Sequence, residues 1–265
     1  VVITSIADEA TTVRGVVESS AGLTRATVAD GIEVVGSRTF RKCANLETVA
    51  LPTTLTEIGP AVFQSCSKLA NITIPESVTT IGEGAFAECT ALTSINIPAG
   101  VTRLEKDVLR NTGLTSIEIP ASVNYIGAYA FRDCESLTEV KILSPEFTIE
   151  VNSFTNMAAP VPAMTIYVVN NEMKAYLDSK LTTYDKSYIT VVAPEVIDNT
   201  VALQTALAEG KNVILATDVN VGTTQLALDN AKIDLGGHIL TTSNNWGGIS
   251  LKNGAGIFNS DVVNM

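Results

Sequence analysis

An internal repeat of 23 residues, once shortened to 22, constrains this 265-residue chain more than any other feature. Three kinds of residue mark the period and form a leucine, a proline and a phenylalanine ladder. The leucine ladder is Leu23, Leu46, Leu69, Leu92, Leu114 and Leu137; the proline ladder is Pro52, Pro75, Pro98 and Pro120; the phenylalanine ladder is Phe40, Phe63, Phe86, Phe131 and Phe154, with Leu109 in the remaining place. One unit cannot bury both of its apolar faces, whereas stacked units cover one another. The period therefore predicts a solenoid.

Each unit contains two short apolar blocks. In residues 92–98 apolar and polar side chains alternate, which predicts a half-buried strand that is ended by the following proline. Residues 78–82 predict a return strand, with Gly82 in the turn. The Ala-Phe-x-x-Cys piece that follows predicts a single helical turn whose ring points inward. We therefore expect Phe86→Ala to destabilise the neighbouring coils as well.

The unit that starts at Leu92 departs from the pattern. Leu104-Glu105 stands where other units have Ile-Gly, Leu109 replaces phenylalanine, and Asn111 stands where the neighbouring units have cysteine. We expect this coil to pack less regularly and to change the local curvature of the solenoid.

The recurring residues L..I.IP..VT.IG..AF..C resemble the BspA-like class of leucine-rich repeats of bacterial surface proteins, over about residues 20–192. After Phe154 the pattern loosens into a segment similar to the terminal cap of that class. The resemblance implies a last strand at residues 166–169, a short helix near 172–181 and an edge strand near 188–192. An open solenoid end exposes core, so a cap is physically required.

A second segment follows the repeats. Residues 198–200 offer N-cap side chains for a short helix, and short β-runs separated by Gly, Asn and Asp follow it. The run LQTAL..G..V.L..DV, followed by IDLGGHIL, resembles the opening coils of a pectate-lyase-like right-handed β-helix. About three coils precede Met265 without a second cap, so either the polypeptide continues or a partner covers the end, and we favour continuation. We thus expect a mostly β solenoid with a capped repeat domain at 1–193 and a partial β-helix at 194–265.

The four cysteines occupy equivalent positions in four coils: Cys43, Cys66, Cys89 and Cys134. Identical side chains on successive coils point in parallel rather than toward each other, so we favour buried free thiols over disulfide bonds, a metal site or a nucleophile.

The sequence predicts no enzyme, cofactor or metal site. The single histidine, His238, lies in a different segment from the cysteines and reads as a turn residue. The acidic residues of the second segment are scattered over turn positions, where Asp commonly bonds its own backbone. They are Asp218, Asp229, Asp234 and Asp261.

The charge balance bears on the partner. The formal charge is -11, and both parts are acidic, with 14 basic and 21 acidic residues up to residue 194 and 3 and 7 after it. Such a field repels phosphate backbones, so we expect no nucleic-acid partner. No apolar run approaches the roughly 20 residues that span a bilayer, so we expect no membrane-spanning segment in this chain.

Without a catalytic constellation, the outward side chains of the repeated strand are the leading candidates for function. They are small and polar in the middle coils and charged toward the C-terminal ones, which favours a broad contact with a protein over a small-molecule pocket. For any one of them, simple solvation of a strand is the alternative. The candidate partner-binding residues are Thr48, Asn71, Thr73, Ser94, Asn96, Ser116, Glu118, Glu139, Lys141 and Tyr167.

The resemblance to BspA-like proteins implies a secreted or cell-surface protein, with any signal or anchor outside this sequence, that adheres to host extracellular-matrix proteins or to other bacterial surface proteins. The alternative function is carbohydrate binding or polysaccharide processing by the β-helical segment, with the repeats as a targeting module. Trp246, the single tryptophan, is the candidate for stacking on a glycan. The alternative is that its ring covers an exposed coil end. A spacer that projects another domain is a third reading.

Overall fold

The computed structural model describes most of the repeat region and parts of the remainder. Described are residues 2–3, 12–13, 17–157, 161–183, 185–193, 195–197, 203, 205–206, 213–215, 219–220, 226–229, 232–234, 240–241, 249–252 and 256–258. The chain divides into two compact units, Val1–Val192 and Ala193–Met265.

The first unit is a solenoid whose coils each contribute two short strands. The repeated strand of successive coils spans Val2–Ile3, Arg25–Val28, Thr48–Ala50, Asn71–Ile72, Ser94–Ile95, Ser116–Ile119 and Glu139–Ile142, followed by Met164–Val168 and Ile189–Val192. The return strand spans Thr12–Val13, Val34–Val35, Glu57–Ile58, Thr80–Ile81, Arg103–Leu104, Tyr125–Ile126 and Thr148–Ile149.

Every pairing between these strands is parallel, and within the repeats from Arg25 to Thr148 the paired residues lie one repeat apart. Glu57, for example, lies opposite Thr80, which is 23 residues later. Parallel pairing between successive coils is what a stacked solenoid requires, so the predicted β solenoid is confirmed.

The strand ladders are not continuous. The repeated strands are unpaired between Thr48–Ala50 and Asn71–Ile72 and again between Ser94–Ile95 and Ser116–Ile119, while the return strands are unpaired after Thr80–Ile81. Two of these three interruptions touch the coil of Leu92, where we expected irregular packing. The interruption after Thr48–Ala50 lies outside that coil, and the predicted change of curvature stays a prediction.

The segment predicted as a single helical turn is instead a run of tight turns. Arg38 and Lys42 have φ values of 61° and 59°, in the left-handed region. The N–H groups of Arg38, Phe40 and Lys42 donate to carbonyls of the next coil at 3.0, 2.9 and 2.7 Å. A helix would direct these donors along its own axis, whereas here they alternate with turn bonds inside the segment, such as that from the Arg41 N–H to the Arg38 carbonyl at 3.1 Å. The prediction of a helical turn was therefore wrong.

The irregular coil also corrects our alignment. Asn111 has a φ of 53°, like Glu88 and Asp133 in the neighbouring coils, and so occupies the left-handed position. Thr112, rather than Asn111, takes the cysteine place, and its hydroxyl donates to the Leu109 carbonyl at 3.0 Å. This unit is one residue shorter than the others, and that shortening caused Asn111 to be aligned with the cysteines.

The phenylalanine ladder forms the centre of the core. The rings of Phe40, Phe63 and Phe86 stack in sequence with centroids 5.3 Å apart, and Phe131 stacks on Phe154 at 5.1 Å. All five side chains are buried. The two stacks belong to coils on either side of the coil that has Leu109 in the ring position.

The cysteines are free and buried, as predicted. Each thiol donates to a carbonyl of the coil before it, for example Cys66 to Phe40 and Cys89 to Phe63, both at 3.1 Å. Burial raises the pKa of the Cys66 thiol to about 12. The thiols therefore act as small apolar residues that also satisfy one carbonyl between coils.

The predicted cap is confirmed to within two residues at each boundary. It consists of the strand Met164–Val168, the helix Asn171–Lys180, a 3-10 turn at Asp185–Ser187 and the edge strand Ile189–Val192. The side chain of Asn170 caps the helix by accepting from the Met173 N–H at 2.7 Å.

A buried carboxylate joins the cap to the last coil. Asp185 is only 2% exposed. It accepts from the Thr155 hydroxyl at 2.9 Å and from the N–H and hydroxyl of Thr182 at 3.0 and 2.7 Å. These bonds cross-link the end of the solenoid to the segment that covers it.

The second unit contains short parallel strands and helical residues at Leu203, Thr205 and Ala206, where the sequence predicts a helix. Its strands form three parallel sheets, one of four strands and two of two. They span Glu195–Ile197, Val213–Leu215, Val219–Asn220, Leu226–Asp229, Lys232–Asp234, Leu240–Thr241, Ile249–Lys252 and Gly256–Phe258. The resemblance to a pectate-lyase-like β-helix stays a prediction.

Candidate functional site

The outward side chains of the repeated strands form two parallel rows, which we call the strand face. The first row is Arg25, Thr48, Asn71, Ser94, Ser116, Glu139, Thr165 and Thr190; the second is Thr27, Ala50, Thr73, Asn96, Glu118, Lys141, Tyr167 and Val192. All ten predicted partner-binding residues lie in these rows. Neighbouring strands in a sheet are about 4.8 Å apart, so eight rungs extend over about 34 Å.

Six of the ten predicted residues are exposed and four are half-buried. The exposed ones are Thr48, Asn71, Thr73, Ser94, Ser116 and Glu118, and the half-buried ones are Asn96, Glu139, Lys141 and Tyr167.

Asn96 serves the solenoid itself. Its amide donates to the Ile74 carbonyl at 2.7 Å and accepts from the Ile74 N–H at 2.9 Å. The side chain thus supplies a rung between two coils, and sequence alternation alone could not distinguish it from a free surface residue.

A shallow depression of about 460 Å³ opens on the strand face where the ladder is interrupted between Thr48–Ala50 and Asn71–Ile72. Val49, Leu51 and Pro75 contribute apolar surface to it. The depression is open to solvent, which suits a side chain of a protein partner better than an enclosed small molecule.

Charge concentrates at the C-terminal rungs. Lys141 is ion-paired with Glu139 of its own strand at 3.1 Å. Glu118 lies opposite Lys141 in the register, but it has no ion-pair partner among residues 17–157, 161–183 and 185–193. The row continues from Lys141 to Tyr167 and then to Val192, which is 37% exposed.

Two polar arrangements escaped the sequence analysis. On the return strands, the Arg103 guanidinium stacks over the Tyr125 ring at 3.7 Å, and its Nε donates to Glu105 at 2.8 Å. On the turn side, Arg41 pairs with Glu18 at 3.0 Å. Glu18 and Arg41 are 23 residues apart, so opposite charges at the repeat spacing were the available signal.

The thiols and carboxylates of the described residues are the groups that could supply a nucleophile or a metal site. No group of three His, Cys, Asp or Glu among them could hold a metal ion. Burial raises the pKa of each of the four thiols, which lowers the fraction of nucleophilic thiolate. Within the described part of the chain, no helix is long and apolar enough to span a bilayer.

Several predicted residues lie outside the described part of the chain. They are Asp218, His238, Trp246 and Asp261. Asp229 and Asp234 end strands of two different sheets in the second unit. The alternative function in carbohydrate binding or processing, with Trp246 as the stacking residue, stays a prediction.

Comparison with known proteins identifies a repeat family. A sequence profile described as BspA type leucine rich repeat region matches six copies, over residues 16–138 and 56–182. Together these ranges cover more than half of the chain. No match was found among curated proteins.

The solved structures that resemble the chain include three leucine-rich repeat proteins. The T. pallidum leucine rich repeat protein is 22% identical, with a TM-score of 0.45, over 61% of this chain and 85% of that chain. A leucine-rich repeat protein from Bacteroides ovatus ATCC 8483 is 17% identical, with a TM-score of 0.46, over 98% and 77%. A leucine rich cell surface protein from Faecalibacterium prausnitzii A2-165 is 16% identical, with a TM-score of 0.44, over 92% and 87%.

Proposed function

The chain belongs to the BspA-type leucine-rich repeat family, and on that premise we propose that it is a non-enzymatic, secreted or cell-surface protein of a bacterium that binds other proteins through its strand face. The family resemblance extends the proposal to adhesion, with extracellular-matrix proteins of a host or surface proteins of other bacteria as partners. Leucine-rich repeat solenoids in general present extended binding surfaces of this kind.

The observation that carries the proposal is the length of the strand face, whose two rows of outward side chains continue across the two interruptions of its strand ladder. Its two rows extend over about 34 Å, a length that suits the roughly 800 Å² per partner of a standard protein interface. Most of its central side chains are exposed and uncharged, such as Thr48, Asn71 and Ser94. Hydrogen-bonding side chains on a broad and open surface suit a protein better than a small molecule.

Arginine substitutions on opposite faces of the solenoid test the proposal. Asn71→Arg and Ser116→Arg place a bulky cation on the strand face, and Thr80→Arg places the same group on an exposed site of the return strands. The whole chain is passed over an array of purified extracellular-matrix and bacterial surface proteins. We expect at least one specific partner, whose affinity falls by about tenfold or more in both strand-face variants.

The control variant Thr80→Arg should retain that affinity, because its side chain lies on the return strand. Equal losses in all three variants would place the contact elsewhere. Binding that none of the three variants weakens would also contradict the proposal.

A further inference from the structure

We propose that the C-terminal rungs of the strand face bind an extended segment of a partner protein that carries Lys or Arg at one position and a large apolar side chain four residues away. The cation would contact Glu118, and the apolar side chain would cover Tyr167 and Val192. This inference rests on the proposed function and specifies the chemistry of its partner.

Register defines the distances within this surface. Glu118, Lys141, Tyr167 and Val192 lie directly opposite one another on four successive parallel strands. With strands about 4.8 Å apart, Tyr167 lies about 10 Å and Val192 about 14 Å from the Glu118 rung. An extended segment that crosses the strands advances about 3.3 Å per residue and presents every second side chain to the surface. A side chain four residues from the cation therefore lies about 13 Å away, between Tyr167 and Val192.

The charges favour a cation at Glu118. Lys141 is already paired with Glu139 at 3.1 Å, whereas Glu118 is exposed and has no ion-pair partner in the described part of the chain. These rungs therefore present two carboxylates and one ammonium group. The net charge of -11 of the whole chain adds a long-range attraction for a basic segment. The same charge repels a second copy of this chain.

The other end of the surface offers apolar contact. Tyr167 points outward from a strand whose alternate residues are buried, and it is itself half-buried. Val192 is a large apolar side chain that is 37% exposed. Tyrosine is enriched among the residues that dominate protein interfaces, because its ring gives a large contact area with little loss of entropy.

These rungs are also the most regular part of the strand face. Ser116–Ile119, Glu139–Ile142, Met164–Val168 and Ile189–Val192 form one uninterrupted sheet of strands of four or five residues. The strands Asn71–Ile72 and Ser94–Ile95 have two residues each and are separated from both neighbouring sheets. A continuous sheet holds its side chains at fixed spacings, and such preorganisation favours recognition of a defined pattern.

Labelled peptides and the whole chain test the inference by fluorescence anisotropy. The probe is a Thr-rich and Ser-rich extended nonapeptide with Arg at its third position and Phe at its seventh. Three control peptides replace that Arg by Glu, replace that Phe by Ser, or move Phe to the fifth position. We expect the probe to bind at least about fivefold more tightly than each control.

Variants of the protein assign the contacts. Glu118→Gln should weaken the Arg-Phe peptide about three- to fivefold and leave the Glu peptide unchanged or slightly improved. Tyr167→Ser should weaken it about five- to tenfold. Glu57→Gln removes the same charge from the return strand and is the matched control, which should bind like the parent. Circular dichroism verifies that each variant is folded.

Three results would overturn the inference: no binding of the probe, equal weakening by Glu118→Gln and Glu57→Gln, or no preference for the four-residue spacing. A glycan array is probed in parallel. Glycan binding that depends on Tyr167, together with a lack of peptide binding, would also overturn the inference. The proposed function is tested independently of these results, because its test is whether Asn71→Arg and Ser116→Arg weaken the binding of a protein partner. The two proposals can therefore fail independently.

Discussion

Replacing Phe63 by alanine removes the middle ring of a three-ring stack. Phe63 is fully buried, and its ring lies 5.3 Å from those of both Phe40 and Phe86, with interplanar angles of 3° and 17°. Phe→Ala in a core costs about 3–5 kcal/mol. Each aromatic pair contributes about 0.5–1.5 kcal/mol beyond its buried area.

Phe86→Ala is the matched comparison. Phe86 is equally buried, at 1% exposure, but it stacks on Phe63 alone because the next coil has Leu109 in the ring position. We therefore expect Phe63→Ala to lower the free energy of unfolding by about 0.5–1.5 kcal/mol more than Phe86→Ala does. Leu109→Ala, at a buried site of the same ladder, should show no loss of a ring pair.

Hydrogen exchange read coil by coil is the suitable assay, because a solenoid gains its stability from nearest-neighbour contacts and need not unfold in one step. The amide of Phe63, which donates to the Ala85 carbonyl at 2.7 Å, reports the mutated coil. The amide of Phe40, which donates to Val62 at 2.9 Å, reports the coil before it. Protection should fall most at these amides and least in the cap. Equal effects of Phe63→Ala and Phe86→Ala, or a uniform loss along the chain, would refute the reasoning.

Three further predictions concern single residues. Burial raises the pKa of Cys66 to about 12. Iodoacetamide at about pH 8 should therefore alkylate this thiol far more slowly in the native protein than in denaturant. Equal rates of alkylation would contradict its burial. An added Cβ at Gly82 would lie 2.5 Å from the Pro60 nitrogen. Gly82→Ala should therefore destabilise the protein by at least about 1–3 kcal/mol in thermal melts. Gly22→Ala is the control and should not destabilise it, because the space around Gly22 is open. Asp185→Ala removes the acceptor of the buried Thr155 hydroxyl and of the part-buried N–H and hydroxyl bonds of Thr182. It should cost the cap about 1–3 kcal/mol, seen as faster exchange of cap amides, and unchanged exchange would show that these donors find other acceptors.

The period alone predicted most of the fold of the first unit. A ladder of equivalent residues implies stacking, so Phe63 had to lie against Phe40 and Phe86 once the coils were in register. The elements of the cap came from the resemblance to the repeat family, and the cap helix, Asn171–Lys180, lies within one residue of the span that the resemblance implied at each end.

The turn segments could not be predicted from local preference. Their left-handed positions are occupied mostly by residues other than glycine, such as Arg38, Lys42 and Ala61, although most residues avoid that region of backbone space. The cost is offset by hydrogen bonds to the next coil, such as Ala61 N–H to the Glu83 carbonyl at 2.9 Å. This compensation exists only between coils, so a single unit read by itself resembles a helical turn.

The candidate site was predictable in outline only. The alternation of polar and apolar residues predicted that Asn71, Ser94 and Asn96 all point outward, and it gave no reason to distinguish them. The structure separates them, because the Asn96 amide bonds both backbone groups of Ile74, while Asn71 and Ser94 are exposed. Which outward side chain bonds the backbone of a neighbouring coil depends on the spacing between the two coils, and the sequence of either coil does not reveal that spacing.

The regularity of the C-terminal rungs has an identifiable cause in the proline ladder. Proline follows the repeated strand in four coils and cannot donate a hydrogen bond to the coil before it. In the coil of Leu137 that place is taken by Leu143, whose N–H donates to the Ile119 carbonyl at 2.9 Å. This bond adds a rung at the end of the strand, where Pro98 and Pro120 cannot supply one. The replacement of proline by Leu143 weakens the repeat pattern in the sequence. It also extends the sheet on which Glu118, Lys141 and Tyr167 are aligned.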